Sequence, residues 1–319
     1  MQVFFKKVFV LLISTLTIIL VFNFYINSDY VFGKKKMITS INNRSYMIGN
    51  NGLRYYKILM IENRELGPED ILVIGSSRTL PLGEQWGVKN ILNLSVTGTH
   101  INDIEIMIDH FVKKKYKNTL VLSLDPWIFN DNNPEKRYEF EYKRDFSNEL
   151  KRMASVGYFK KNIDLLFFYK RNPGLVDTIF GDGSRKYLKD HDCKISCSLT
   201  RDYLFKKDYL SDEFKNFRIS NEYLSTLDRI LEKSKKFEKV IVWMQPLNPI
   251  FIENPEVKRI KEITLQSEQN IKDRCIQFNC DLYGSFFQNM DSCSFEDHKH
   301  LNRSKLAKEF NNLINRKTN

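Results

Sequence analysis

Apolar residues along this chain cluster in three patterns, and each pattern predicts a different element. The first is the unbroken run Val8 to Ile26, about 19 residues without a charge, long enough to cross a hydrocarbon core as a helix. The second is a set of short continuous runs closed by turn formers. Ile71-Leu72-Val73-Ile74 stops at Gly75, and Asn90 to Val96 stops at Gly98. Thr119 to Leu124 stops at Asp125-Pro126, Lys239 to Met244 stops at Pro246, and a shorter run lies near Asp281-Leu282-Tyr283. Runs of this length and closure predict strands buried on both faces. The third pattern is helical spacing. Ile101, Ile104, Met107, Ile108, Phe111 and Val112 predict an amphipathic helix, with Thr99 placed to cap it. A further helix is expected near 220–236, and another begins at Asn254-Pro255, with Ile260, Ile263, Ser267, Ile271 and Arg274/Cys275 on its inner stripe. The last has Asn302 as its cap and Leu306, Ala307, Phe310, Leu313 and Ile314 as its apolar face.

Short buried strands alternating with amphipathic helices predict an α/β fold, a parallel sheet covered on both faces. In such sheets ligands bind at the carboxyl ends of the strands. Gly75-Ser76-Ser77, Gly98, Asp125 and the Asp297/His300 loop all fall at or just after such ends. The rhythm breaks between about 130 and 220, a stretch rich in Lys, Asp, Phe and Tyr that carries Gly181-Asp182-Gly183. It reads as an insertion after the third strand that caps or walls the site. The domain plan is a cytoplasmic tail at 1–7, an anchor at 8–26, a polar lead-in at 27–69 and an α/β domain at 70–316.

Charge changes this picture little. The formal charge is +11, in a chain rich in Lys and Asn and poor in Ala, Gly and Pro. That balance suits a solvated Lys-rich surface, an anionic envelope polymer or phospholipid headgroups. The lysine clusters Lys34-Lys35-Lys36 and Lys113-Lys114-Lys115 are short and lack an accompanying nucleic-acid motif, so no nucleic-acid partner is expected. Lys6 and Lys7 precede the long apolar run, as on the cytoplasmic side of a first anchor. A cleaved leader is the alternative, but the run is long for one and Phe24 to Ser28 lacks a small-x-small cleavage pattern. Either way the remaining chain is exported, and the uncleaved anchor makes it a single-pass bacterial membrane protein with its domain outside the cytoplasm. Cys193, Cys197, Cys275, Cys280 and Cys293 leave an odd thiol whatever bridges form.

Two segments carry candidate chemistry. In Ile74-Gly75-Ser76-Ser77-Arg78 a hydroxyl is set where a buried strand stops, beside backbone N–H groups able to receive a developing oxyanion. Alone, a Gly-Ser-Ser turn is common. The second segment is Asp297-His298-Lys299-His300-Leu301-Asn302, just before the last helix. An Asp three residues before a His can accept the Nδ1 proton, leaving Nε2 to deprotonate a serine. His298 and His300 could instead be a metal pair, for which His100, His110 and His191 are only scattered further ligands, or the segment could be a polar helix entry. Arg78 either orients Asp125 or meets an anionic substrate group. Trp127 and Phe129 either line a sugar-binding wall or belong to the core.

Together these residues resemble the SGNH/GDSL hydrolase superfamily, and more closely its cell-envelope branch of DltD-like, alginate-acetylation-like and peptidoglycan O-acetyltransferase-like proteins. The likeness covers about 69–127 and 239–316 and excludes the insertion. It implies a three-layer, flavodoxin-like fold with Ser77 as nucleophile, Ser76 in the usual Asp position, and Asp297 and His300 as acid and base. Asn93-Leu94-Ser95-Val96-Thr97-Gly98 resembles the second motif, so the oxyanion hole falls to the N–H groups of Ser77 and Gly98. Where family hydrolases carry an oxyanion-donating Asn, this chain reads Ser123-Leu124-Asp125-Pro126. That leaves Arg78, Asp125 and Trp127 for a substrate pocket or an internal pair. The implied activity is O-acetyl transfer onto an envelope or surface polysaccharide through an acyl-serine, with an MBOAT-type membrane acyltransferase as partner and no cofactor. Ester hydrolysis by the same residues, or a non-catalytic scaffold role, are the alternatives.

Overall fold

The computed structural model describes residues 1–26, 44–47, 53–132, 150–151, 153–160, 162–163, 177–180, 182–186, 217–252, 258–296 and 300–316. Contacts divide the chain into two compact units. One comprises Met1–Leu59, Phe140–Gly181 and Lys186–Leu188; the other comprises Met60–Glu139, Asp182–Arg185 and Lys189–Asn319.

The second unit is the α/β domain. Its strands are β2 (Ile71–Ile74), β3 (Ile91–Asn93), β4 (Thr119–Leu124), β7 (Lys239–Met244) and β8 (Asp281–Gly284), in the order β3-β2-β4-β7-β8. Every pairing is parallel. Numbered along the sheet-forming chain this is 2-1-3-4-5, the flavodoxin-like order, with its switch point between β2 and β4. Every strand predicted from the apolar runs is present. The second is shorter by assignment, yet Leu94 and Val96 still donate their N–H groups to the carbonyls of Val73 and Gly75 at 2.7 and 3.0 Å.

Alternation sends successive side chains to opposite faces. Val73, Val121, Ile241 and Trp243 pack with Leu306, Ala307, Phe310 and Leu313 of the last helix, Arg303–Asn315. Leu72, Ile74, Leu120, Leu122, Val242 and Met244 are buried on the other face. Helices α3 (Ile101–Lys114), α4 (Asn221–Ser234) and α6 (Lys258–Phe278) bury apolar stripes of their own; α5 is the single turn Pro249–Ile252, which makes the last helix α7. Ile260, Ile263, Ser267, Ile271 and Cys275 of α6 are all buried, as their spacing predicts; the expected cap at Asn254-Pro255 lies outside the described residues. Thr99 does not cap α3. His100 does, through Nδ1 to the Asn102 N–H, and Asp103 closes a capping box on the His100 N–H.

The two ends of the stretch from about 130 to 220 are paired within this unit. Asn130 bridges Ile219, the Asp131 N–H donates to the Arg218 carbonyl at 2.8 Å, and the Ser220 N–H donates to the Phe129 carbonyl at 2.9 Å.

The first unit holds α1 (Gln2–Ile26), the antiparallel pair β1 (Arg44–Met47) and β5 (Asp177–Phe180), and the start of α2 (Leu53–Asn63). The two-residue strand β6 (Arg185–Lys186) follows β5 in sequence. Helix α1 begins at Gln2, so the tail expected at 1–7 is largely helical, and Gln2–Phe24 is long and apolar enough to span a membrane. The lead-in expected to be merely polar contains α2, whose Leu53, Ile58 and Ile61 are buried.

Candidate active site

Strand β2 ends at Ile74, and the chain folds at once into a tight turn. The N–H groups of Thr79 and Leu80 both donate to the Ser76 carbonyl at 3.1 Å, so Ser77 stands at the crest of one helical turn. Ser76, Arg78 and Thr79 are buried around it while Ser77 is half-buried. The turn can fold this closely because residue 75 has no side chain. A Cβ there would lie 2.3 Å from Thr79 Oγ1 and 2.9 Å from Ser123 Cβ on the adjacent strand. The Gly75 carbonyl accepts from the Val96 N–H at 3.0 Å and from Thr99 Oγ1 at 2.7 Å. These bonds tie the 96–99 turn, with Gly98 at φ 58, to the Gly75 carbonyl, two residues before Ser77 in the chain. Thr99, expected as a helix cap, serves this junction.

His300 arrives from the other end of the sequence on an arm fixed at both sides. Phe295 and Leu301 form an antiparallel bridge and are both buried in the core under α7. The Glu296 N–H donates to the His300 carbonyl at 2.7 Å, and the Asn302 N–H donates to the Ser294 carbonyl at 2.9 Å. Asn302 caps α7 through Oδ1, which accepts from the Lys305 N–H at 3.0 Å. So held, His300 Nε2 lies 2.9 Å from Ser77 Oγ. That is hydrogen-bond reach for a nucleophile and its base. Asp297 and His298 lie outside the described residues.

Arg78 and Asp125 meet beneath this pair. Arg78 Nη1 donates to Asp125 Oδ1 at 3.1 Å, Nη2 donates to the Pro246 carbonyl, and the guanidinium lies 5.9 Å from the centroid of the Trp127 ring. The exposures of Arg78, Asp125 and Trp127 are 1, 3 and 6 %. The arginine thus compensates a carboxylate that would otherwise be buried alone, which carries a large penalty. Phe129 is wholly buried.

Three further residues support the Ser77 turn. Asn93, at the end of β3 and fully buried, donates through Nδ2 to the carbonyls of Thr79 and Leu82 at 2.8 and 2.7 Å and accepts from the Ser95 N–H through Oδ1 at 2.9 Å. Ser95 Oγ lies 2.8 Å from Thr79 Oγ1. Asp182, from the insertion, accepts the Glu84 N–H through Oδ2 at 2.7 Å and the Asn93 N–H through its carbonyl, also at 2.7 Å; the nearby Arg185 N–H donates to the Leu80 carbonyl at 2.9 Å. The one legible signal was Asn93 itself, an amide inside the run Ile91-Leu92-Asn93-Leu94, where a buried polar group must find partners. Nothing in the sequence marks Asp182 as its neighbour.

No family model matches the chain, and no curated protein matches it. Among solved structures, two catalytic mutants of Axe2, an acetylxylan esterase from Geobacillus stearothermophilus, are similar to it with TM-scores of 0.40 and 0.39. Each is 11 % identical, with 79 % of this chain and 97 % of the other covered.

Proposed function

We propose that this protein is a serine acyl-ester enzyme of the SGNH type that acts on O-acylated glycans outside the cytoplasm while held by α1. The observation that carries the reading is the 2.9 Å approach of Ser77 Oγ to His300 Nε2 at the carboxyl end of β2, beside the switch point of the sheet. His300 takes the Ser77 proton as Oγ bonds to the acyl carbonyl carbon. The tetrahedral oxyanion is received by the N–H groups of Ser77 and Gly98. His300 then returns the proton to the departing sugar oxygen as the old ester bond breaks, leaving an acyl-serine. A water molecule, deprotonated by His300, releases the acid and restores Ser77. Asp297 is assigned to hold the His300 tautomer. Ser77 and His300 are both half-buried, so water can reach an acyl-serine there, and hydrolysis is taken as the primary reading.

Transfer of the acyl group to a second glycan hydroxyl is the other reading. It draws on Asp125, which is buried against Arg78 where family hydrolases carry an oxyanion-donating Asn. One donor fewer costs about two to three orders of magnitude in turnover, which leaves a slow acyl-serine available to a sugar acceptor. An MBOAT-type donor of acyl groups belongs to this reading alone.

The test is labelling of the full-length, detergent-solubilised protein by a fluorophosphonate, alongside release of acetate from acetylated oligosaccharides with and without a glycan acceptor. Ser77→Ala and His300→Ala are expected to abolish labelling and to lower turnover by about four to six orders of magnitude, and Asp297→Ala by about four. Absence of labelling in the folded wild type would overturn the enzyme reading. Acetate appearing on the acceptor in place of solution would shift the assignment to transfer.

A further inference from the structure

The last full turn of α1 carries a polar residue unlike its neighbours. Val21 is 51 % exposed and Phe24 36 %, while Asn23 is wholly buried. What buries it lies about 130 residues further on. Asn23 Nδ2 donates to the carbonyls of Met153 and Ser155 at 2.7 and 3.1 Å, and its Oδ1 accepts from Asn162 Nδ2 at 3.0 Å. Beside it the rings of Phe22 and Phe159 lie 4.7 Å apart. The described residues between 150 and 163, part of the stretch read as an insertion, are therefore fastened to the end of the apolar helix, inside the same compact unit.

This fixes their depth if α1 spans a bilayer, the reading on which the inference rests. At 1.5 Å per residue, Asn23 lies about 24 Å along the axis from Lys7. With Lys6 and Lys7 reaching the near headgroups, that position is close to the far edge of a hydrocarbon core about 30 Å thick. An asparagine at that depth needs protein partners, and residues 153, 155 and 162 supply them. The fastened segment has the surface chemistry of the same boundary. Val156 is 66 % exposed and Leu150 45 %, with Lys151 and Lys160 exposed alongside. Apolar side chains at acyl-chain level and ammonium groups at phosphate level are what an interfacial segment presents.

We infer that residues 150–163 form a membrane-surface element, seated in the headgroup region of an anionic phospholipid bilayer and held there by Asn23. The insertion thereby acts as part of the anchor. A leader peptidase removing α1 would also strip this segment of its hydrogen-bond partner.

The inference is tested in full-length protein reconstituted into phosphatidylcholine–phosphatidylglycerol vesicles, with a fluorescent amino acid introduced at position 156 by amber suppression. Nitroxide-labelled lipid and aqueous iodide serve as opposing quenchers. Several-fold stronger quenching by the lipid nitroxide, with shielding from iodide, is expected. Asn23→Leu keeps α1 apolar and resistant to carbonate extraction, yet should reverse the two quenching efficiencies by freeing the segment. If the wild-type protein resists carbonate but position 156 is quenched by iodide and not by lipid, the interfacial seat is wrong while the anchor stands. If carbonate extracts the protein, the spanning helix fails and the inference fails with it. Shielding from both quenchers would assign the patch to a protein contact, such as a second copy, and would also overturn the lipid seat.

Discussion

Asn93 places the Ser77 turn under the control of one buried amide. Its Nδ2 holds the carbonyls of Thr79 and Leu82, and those residues set where the crest of the turn sits relative to His300. Asn93→Ala leaves those carbonyls and the Ser95 N–H without this partner, at a cost of about 3 kcal/mol in unfolding free energy. Because the reacting oxygen must be placed to within a fraction of an ångström, the same change is expected to lower kcat for an ester substrate about 100-fold with KM little altered. Chemical denaturation and steady-state kinetics check the two effects separately. An unaltered kcat in a destabilised protein would reduce Asn93 to a purely structural residue. At this scale the sequence was informative where chemistry imposes a local pattern. Ser77 after a buried strand and His300 before a capped helix were both readable, since each follows from its own few neighbours. Asp182 was not, because its hydrogen bonds to Glu84 and Asn93 join residues about 90 apart in the chain, and nothing in the local pattern encodes that distance.

At the scale of elements, the arm carrying His300 and the helix pair α3–α4 each make a prediction. The arm is set by Phe295 and Leu301 in the core beneath α7, so Leu301→Ala should cost about 2–4 kcal/mol through the cavity it leaves. It should also slow fluorophosphonate labelling of Ser77 by loosening the base. Normal labelling in a destabilised Leu301→Ala variant would show that the bridge does not set His300. Between α3 and α4, Glu105 receives both Arg229 Nε and Nη2 at 2.9 Å and Lys233 Nζ at 3.0 Å. The Arg229 hydrogen bonds hold its carboxyl below the usual carboxylate range, against the opposing effect of burial, with Lys233 adding to the depression. A depressed folded-state value stabilises the protein above the ordinary carboxylate pKa, and that stability is lost as pH falls through the depressed value. Glu105→Gln should therefore lower stability by about 1 kcal/mol near neutrality, a figure kept small because Arg229 is half exposed. The gap in urea midpoint between variant and wild type should close as pH falls below the ordinary carboxylate range. A gap that persists undiminished to pH 3 would mean the carboxyl is not depressed in the fold. The strands of the sheet were legible because parallel strands covered on both faces must be apolar throughout. The cap of α3 was misread because Thr is a preferred cap by type and His is not, yet the Thr99 hydroxyl is drawn away by the Gly75 carbonyl and leaves the cap to His100. Helix α2 was missed because its buried face includes Arg54 and Lys57, charges that disguise the periodicity.

For the whole molecule, the compartment is the property that several features address together. An apolar α1 with Lys6 and Lys7 in its first two turns predicts that everything after it is exported, and the cysteines give that an independent chemical check. Cys275 and Cys280 are free thiols that hydrogen-bond to one another; that bond, together with burial, pushes the Cys275 thiol well up, while the same bond draws Cys280 down. Cys293 is disulfide-bonded, to a partner outside the described residues. A structural bridge persists in an oxidising compartment and is removed by the reducing pools of the cytoplasm. The chain has five cysteines, so one bridge leaves three thiols. Protein trapped with a membrane-permeant alkylating agent in intact cells, then denatured without reductant, should carry three alkyl groups. Reduction before alkylation should raise the number to five, and Cys293→Ser should begin at four. If five groups are added without reductant, the domain faces a reducing space, and a reading that places its substrate among extracytoplasmic glycans would have to be abandoned even with the Ser77–His300 pair intact. If one is added, Cys275 and Cys280 have closed a second bridge in the cell, between the end of α6 and the start of β8. That outcome would still place the domain outside the cytoplasm, since both bridges need the same oxidising surroundings.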